Sequence, residues 1–149
     1  MKKSIEYAVS ACLCGVNCKY NGGNNYHEKL MEFLEGKDYV KVCPEVSGGL
    51  PVPRISCEIT EGKVINREGQ DVTEAFCLGA EKELKKIKDA GVRLVILQSR
   101  SPSCGKGIIY DGSFTGQKIS GDGIFVRKLK EAGIACMDVE EFVNSRTES

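Results

Sequence analysis

The sequence predicts an α/β fold: a single domain with a mostly parallel sheet and flanking helices, in a Rossmann-like three-layer arrangement. Short apolar runs alternate with amphipathic segments along the chain, the order expected of an α/β layer fold. The length of 149 residues fits one domain, and the chain contains neither an internal repeat nor a linker. We expect the domain to span residues 1–145 and residues 146–149 to form a frayed tail.

Four short apolar runs are the predicted strands of the sheet. They are residues 5–11, 39–42, 93–98 and 134–137. A helix is predicted at residues 27–34, where four apolar side chains share one face. Two further helices each have an acidic residue that can cap the start and a glycine that ends the helix. These pairs are Asp71 with Gly91 and Asp122 with Gly133. Another helix is predicted to begin at Asp138.

Two stretches interrupt this regular alternation. Residues 43–54 and 99–107 contain all four prolines of the protein together with several glycines. Proline fixes φ and glycine permits positive φ, so these stretches are predicted to be loops of defined path. Hairpins are predicted at residues 55–65, with Gly62 at the turn, and at residues 109–119.

Charge and hydropathy exclude several classes of partner. Lysine and arginine number 21, as do aspartate and glutamate, so the chain has no net charge to attract a phosphate backbone or an anionic lipid surface. Nucleic acid is therefore an unfavoured partner. No apolar run approaches the roughly 20 residues that cross a bilayer, and the N-terminus does not resemble a signal peptide. We expect a cytoplasmic protein without membrane contact.

The eight cysteines are the most unusual feature of the composition. In the reducing cytoplasm they suggest metal binding or chemistry rather than a disulfide framework. Cys57, Cys77 and Cys136 lie in apolar patterns and are interpreted as small core residues. Three others fall at or just beyond the carboxyl ends of predicted parallel strands, which is where such sheets bind ligands. These are Cys12, Cys43 and Cys104.

The spacing of the cysteines favours a cluster over a zinc ion. Cys12, Cys14 and Cys18 supply at best one irregular half of a zinc site, and His27 is the only histidine. Cysteines from separate loops suit an iron–sulfur cluster better, because a cluster accepts ligands at wide separations. If only three cysteines bind a cubane, one iron stays open as a Lewis acid. A structural zinc protein or an iron–sulfur electron-transfer protein remains the alternative.

Polar residues beside these cysteines are candidates for catalysis. Glu45 lies two residues after Cys43 in a proline-stiffened loop, where its carboxylate could serve as a general acid or base. Ser101 and Ser103 precede Cys104. The segment 105–107 has the composition of a phosphate loop but lacks its full motif, so we give it no such role.

Several blocks of the sequence resemble one family, the 2-thiouracil desulfidase (TudS) family, which was long known only as a domain of unknown function. The resemblance runs from about Ser10 to Gly133. The matching blocks are Ser10-Ala11-Cys12-Leu13, Cys18-Lys19-Tyr20-Asn21-Gly22, Cys43-Pro44-Glu45, Gly48-Gly49-Leu50-Pro51-Val52-Pro53-Arg54, Asp71-Val72-Thr73, Ser101-Pro102-Ser103-Cys104-Gly105 and Tyr110-Asp111-Gly112. Two positions depart from the family: Cys14, usually apolar, and Asn21, commonly aspartate.

The resemblance implies a 4Fe-4S cluster held by Cys12, Cys43 and Cys104, with one open iron. Cys18 belongs to a family block and could replace one of the three. The implied reaction removes sulfur from a thiolated pyrimidine without net redox change, converting 2-thiouracil to uracil and sulfide. Glu45 and Ser101 match the family's catalytic side chains, with Glu45 accepting a proton from the attacking water.

The expected partners are a small thiolated pyrimidine and the iron–sulfur assembly machinery. Desulfuration of thiolated tRNA bases is a further alternative, which the neutral charge disfavours. Substrate contacts are expected from five residues: Tyr20, Gly48, Gly49, Arg54 and Ser103.

Overall fold

The computed structural model describes residues 5–147 of the chain, in which strands and helices alternate. Eight strands are present in this part of the chain. They are β1 (Tyr7–Ser10), β2 (Tyr39–Val42), β3 (Cys57–Thr60), β4 (Lys63–Asn66), β5 (Leu94–Leu97), β6 (Ile108–Tyr110), β7 (Lys118–Ser120) and β8 (Ala135–Asp138). The helices are α1 (Glu28–Leu34), α2 (Pro44–Ser47), α3 (Thr73–Ala90), α4 (Ile124–Glu131) and α5 (Val139–Thr147). No helix of residues 5–147 is both long enough and apolar enough to cross a membrane.

The central sheet confirms the predicted α/β class. Its four strands are parallel and lie in the order β2-β1-β5-β8. From β1 the chain passes outward to β2 and then returns to β5 on the other side of β1. Because the strand order reverses there, a crevice is expected at the carboxyl ends of β1 and β5. The four sheet strands correspond to the four predicted runs: β2 matches its run at both ends, and the ends of the other three differ by one or two residues.

Two apolar clusters, one on each face of the sheet, complete the three layers. Alternate strand residues such as Ala8 and Val95 face α3 and α4, where they pack with buried side chains including Phe76 and Phe125. The neighbouring residues face α1 and α5 on the other side. This alternation is the period-2 geometry of a strand that is buried on both faces. Helices therefore flank the sheet on both sides, as predicted.

The helix starts differ from the sequence prediction. α3 begins at Thr73, and Asp71 accepts a hydrogen bond from the Thr73 backbone N–H. α4 begins at Ile124 with Gly123 in the capping position. Asp122, the predicted cap, instead accepts the Gly107 backbone N–H at 2.8 Å and pairs with Lys130 at 2.7 Å. Because the Asp122 carboxylate is bound by Gly107, which lies outside α4, and by Lys130, it does not cap the start of α4.

Both predicted hairpins are present, and one predicted loop contains a helical turn. β3 pairs with β4 around a turn at Glu61 and Gly62, and β6 pairs with β7. Residues 44–47 form α2, which has Pro44 in its first turn, where proline fits because its missing N–H has no helical partner to lose. α5 extends through Thr147, two residues into the predicted tail, and residues 148–149 lie outside the described residues.

The short helix α2 lies directly on α3 through two glycines. A Cβ at Gly79 would overlap the Pro44 carbonyl oxygen, and one at Gly48 would overlap that of Ala75. Gly79 is buried on the inward face of α3. The close approach of the two backbones therefore depends on the absence of side chains at these positions.

We expect Gly79→Ala to destabilise the protein. In an open helix the change from glycine to alanine stabilises by roughly 0.5–1 kcal/mol. Here the added methyl group must displace α2, at a cost of about 1–3 kcal/mol for an overpacked site. Urea denaturation measures the difference, with the exposed variant Lys82→Ala as control. A Gly79→Ala protein more stable than wild type would contradict the close packing.

Candidate active site

A cavity of about 490 Å³ lies at the carboxyl ends of the sheet strands, where the reversal of strand order predicts a ligand site. Cys12, Cys43 and Cys104 all line it. Each comes from a different loop, following β1, β2 and β5. The structure therefore brings together the three cysteines that the sequence placed at strand ends.

Local structure fixes each of these cysteines. Cys12 lies in a 3₁₀ turn over Ala11–Cys14, which Gly15 closes in a left-handed conformation with φ of 89°. Cys43 directly precedes α2. Cys104 is buried, and its backbone N–H donates to the Ser101 hydroxyl at 2.7 Å. None of the eight cysteines forms a disulfide, so all three thiols are free to bind a metal.

A fourth thiol, that of Cys18, lies between two of the others. Cys18 is buried in the cavity wall, and its side chain hydrogen-bonds with those of Cys12 and Cys43. These bonds lower the pKa of Cys12 to about 7 and lower the pKa of Cys43, whereas the pKa of Cys18 is raised. Burial raises the pKa of Cys104. Cys18 thus stabilises the thiolate, the form that binds metals, at two of its neighbours.

Cys57 is a cavity residue that the sequence analysis assigned to the core. It is half-buried in the cavity wall, and its thiol donates to the Ile55 carbonyl oxygen at 3.4 Å. Burial raises its pKa to about 11. The alternation of Cys57 with Ile59 predicts a buried strand face, and Cys57 does pack against the core. The pattern does not indicate that this end of β3 also borders a cavity. Cys14 packs against the opposite face of the sheet.

The Glu45 carboxylate is held on both of its oxygens. Arg54 donates to Oε1 from Nε at 3.2 Å and from Nη2 at 3.1 Å. Ser103 donates its hydroxyl to Oε2 at 2.8 Å. The Arg54 side chain is 6% exposed and that of Glu45 is 14% exposed, so this ion pair is largely shielded from water. The carboxylate is consequently oriented within the cavity before any ligand binds.

The two serines of the Ser-Pro-Ser-Cys segment have different contacts. Ser103 is buried and contacts Glu45 directly, while the Ser101 hydroxyl lies 3.3 Å from that of Ser103. Ser101 also accepts the Cys104 backbone N–H. Both serines line the cavity. The structure therefore forms a chain of hydroxyls that leads from Ser101 through Ser103 to the Glu45 carboxylate.

The expected substrate-contact residues are only partly at the cavity. Tyr20 is half exposed and lines it. Arg54 also lines it, but its guanidinium is engaged by Glu45 and by the carbonyl oxygens of Pro51 and Cys18. Gly48 and Gly49 are not among the lining residues. Gly48 contacts α3 instead, which is a packing role that its type alone did not reveal.

The hairpins supply a wall that the sequence analysis did not assign to the site. Tyr110 and Phe114 from the β6–β7 hairpin line the cavity beside Arg67 and Glu58. The Glu58 carboxylate accepts the backbone N–H groups of Gly112 at 3.0 Å and Phe114 at 3.1 Å, and Arg67 lies 5.2 Å from the Phe114 ring centre. The predicted 109–119 hairpin and the Tyr110-Asp111-Gly112 block were the available signals for this wall.

Thiols from separate loops line one cavity. Within residues 5–147, no three histidine, cysteine, aspartate or glutamate side chains are close enough together to hold a single metal ion. A zinc ion needs four donors at about 2.0–2.3 Å, whereas an iron–sulfur cluster accepts cysteines from widely separated segments.

The chain resembles known proteins in sequence and in fold. The 2-thiouracil desulfurase family matches residues 7–141. The uncharacterized protein YbbK of Bacillus subtilis (strain 168) is 40% identical over 143 residues, covering 89% of this chain and 95% of YbbK. A solved structure of the 4Fe-4S-dependent thiouracil desulfidase TudS has a TM-score of 0.86 and 36% identity, and covers 92% of each chain.

We expect Arg54→Met to destabilise the protein by about 3–5 kcal/mol, because it leaves the shielded Glu45 carboxylate without its counter-charge. The matched control is Lys128→Met, which removes a surface ion pair with Glu81 and should cost about 0–1 kcal/mol. Urea denaturation measures both. Equal losses in the two variants would show that the Arg54–Glu45 pair behaves as an ordinary surface pair.

Proposed function

The chain belongs to the 2-thiouracil desulfurase family, and we propose that it is a hydrolytic desulfidase that converts a thiolated pyrimidine such as 2-thiouracil to the oxygen form and sulfide. The observation that carries this proposal is the convergence of three cysteines from separate strand ends beside a carboxylate in one cavity. A purely structural metal site does not require an oriented carboxylate next to its ligands.

Cys12, Cys43 and Cys104 are the residues that would hold a 4Fe-4S cluster. Their fit rests on the donor set, which consists of three free thiols in one cavity, two of them with lowered pKa. When bound by three cysteines, such a cluster supplies an open iron, a Lewis acid that favours a soft thiocarbonyl sulfur and polarises the C–S bond. In the cell, the iron–sulfur assembly machinery would load it.

Glu45 is the proposed general base. Its carboxylate accepts a proton from a water molecule, whose oxygen attacks the thiocarbonyl carbon of the ring. The C–O bond forms, the C–S bond breaks, and the proton held by Glu45 passes to the departing sulfur, while the second proton of the water leaves the new carbonyl oxygen for solvent. No electrons enter or leave, so the balance is that of a hydrolysis. Arg54 holds the carboxylate in place through Oε1 and leaves Oε2, on the Ser103 side, for the proton.

The walls of the cavity suit a flat, uncharged ring. Tyr20, Tyr110 and Phe114 are the aromatic lining residues, and they offer apolar faces to a pyrimidine. Ser103 and Tyr20 carry hydroxyls that could hydrogen-bond with its exocyclic groups. The chain has no net charge, which fits a small heterocycle better than a polyanionic RNA.

Anaerobic reconstitution tests the cofactor and the activity together. Wild-type protein should take up about four iron and four sulfide per chain and then release sulfide from 2-thiouracil without an added reductant. Cys104→Ala should lose the cluster. A colourless protein that binds stoichiometric zinc would contradict the proposal.

Glu45→Gln separates the chemistry from cluster binding. It should keep the iron content and lose sulfide release by about 10²–10⁴-fold, the usual contribution of a general base. Glu131→Gln, an exposed carboxylate on α4, is the control and should behave as wild type. Full activity in Glu45→Gln would refute the role assigned to this carboxylate.

Ser103→Ala should lower kcat more than Ser101→Ala does. Ser103 donates directly to the Glu45 carboxylate, and a hydrogen bond to a charged group contributes about 1.5–3 kcal/mol, or about 10–100-fold in rate if it acts in the transition state. Steady-state sulfide release with equal cluster loading measures the two variants. A larger effect of Ser101→Ala would assign the dominant role to that hydroxyl, as the family resemblance alone implied.

A further inference from the structure

The inward face of α3 contains a charged residue where the helix pattern calls for an apolar one. Glu83 lies in the buried stripe of this helix together with Phe76, Gly79, Ala80 and Ile87, and is only 3% exposed. A buried carboxylate is strongly unfavourable unless its neighbours compensate the charge. The fold therefore retains Glu83 in a position where leucine would pack at no such cost.

Glu83 accepts hydrogen bonds from the segment that leads into the candidate site and pairs with Lys86 of its own helix. Its Oε2 accepts the Cys43 backbone N–H at 3.2 Å, and its Oε1 accepts the Ser47 hydroxyl at 2.7 Å. Lys86 lies 3.2 Å from the carboxylate and also donates to the Lys41 carbonyl oxygen on β2 at 2.8 Å. One carboxylate thus binds both ends of segment 43–47, and Lys86 connects it to the strand before that segment.

Segment 43–47 carries the two functional groups of the proposed site, the Cys43 thiol and the Glu45 carboxylate. Its backbone is seated on α3 by the Gly48 and Gly79 contacts, and Glu83 lies one helical turn beyond Gly79. The glycines fix the distance between α2 and α3. They do not fix the orientation of the short helix, because contacts without side chains resist rotation weakly. The directional hydrogen bonds of Glu83 supply that orientation.

We propose that Glu83 is a positioning residue: from behind the cavity wall it fixes the direction in which Cys43 and Glu45 point into the active site. The roles of Cys43 and Glu45 rest on the function proposed above, whereas the contacts of Glu83 are independent of it. Glu83 does not line the cavity and touches no substrate, so it acts only through the segment that it holds. Residues of this kind, one step behind a ligand, typically contribute about 10–100-fold to metal affinity or activity.

The test compares Glu83→Leu, Glu83→Gln and Ser47→Ala with Glu81→Leu, a control at an exposed position of the same helix. In full-length, iron-free protein, the rate of Cys43 alkylation by iodoacetamide is followed by mass spectrometry relative to that of Cys14. After anaerobic reconstitution, iron content, the electron paramagnetic resonance spectrum of the reduced cluster, kcat and KM are measured.

In Glu83→Leu we expect Cys43 alkylation to rise several-fold, the cluster spectrum to change, and kcat to fall by about 10–100-fold with KM within about twofold. Glu83→Gln keeps one acceptor oxygen and should recover part of each effect, and Ser47→Ala should show a smaller one. A lower Tm with wild-type Cys43 alkylation, cluster spectrum and kcat would show that Glu83 only stabilises the fold, and it would overturn the proposal. Wild-type values in a folded Glu83→Leu protein would overturn the proposal.

If Glu83→Leu does not fold, Glu83→Gln and Ser47→Ala decide, and wild-type alkylation and spectra in both would overturn the proposal. If the wild-type protein takes up no cluster, the proposed function fails instead. Alkylation of Cys43 in the iron-free variants still tests Glu83 in that case.

Discussion

All four strands of the central sheet run in one direction, and this constraint determines where the chemistry of the protein can occur. Parallel strands deliver the residues that follow them to the same end of the sheet. Cys12, Cys43 and Cys104 are separated by dozens of positions in the chain, yet they meet because each follows a strand within the order β2-β1-β5. An antiparallel neighbour would have sent one of them to the opposite end.

The wall of the cavity contains carboxylates that are paired and thiols that are free to bind a ligand. Among the described residues, no buried side-chain nitrogen or oxygen lacks a hydrogen-bond partner. Two carboxylates at segment 43–47 follow this rule. Glu45, within the segment, is paired with Arg54, and Glu83, on α3, is paired with Lys86. These two ion pairs hold the wall of the cavity in shape. The thiols of Cys12, Cys43 and Cys104 line the same cavity, and thiolates are ligands that soft metals prefer.

Sequence patterns predicted the parts of the structure that depend on local rules. Apolar runs located all four strands of the sheet, and strand ends located Cys12, Cys43 and Cys104. Features that depend on distant partners were missed. The cap assigned to Asp122 was wrong because Gly107 and Lys130 occupy that carboxylate, and Glu83 went unnoticed because its partners lie about 40 positions away. Gly48, a predicted substrate contact, also packs closely on α3, a role that its residue type alone does not reveal.

The candidate site is built from two regions of the chain, the segments that follow the sheet strands and the two hairpins. Cys12, Cys43, Cys104 and Glu45 follow strands of the central sheet, whereas Tyr110 and Phe114 lie on a hairpin that is held by Glu58 of the other hairpin. The two parts are joined where Ile109 of β6 forms a β-bridge with Arg100, in the loop that carries Cys104. A change of side chain at Tyr110 or Phe114 therefore alters one wall of the cavity and leaves the thiol-bearing residues in place, whereas a shift of the hairpin backbone is passed to the Cys104 loop through that bridge.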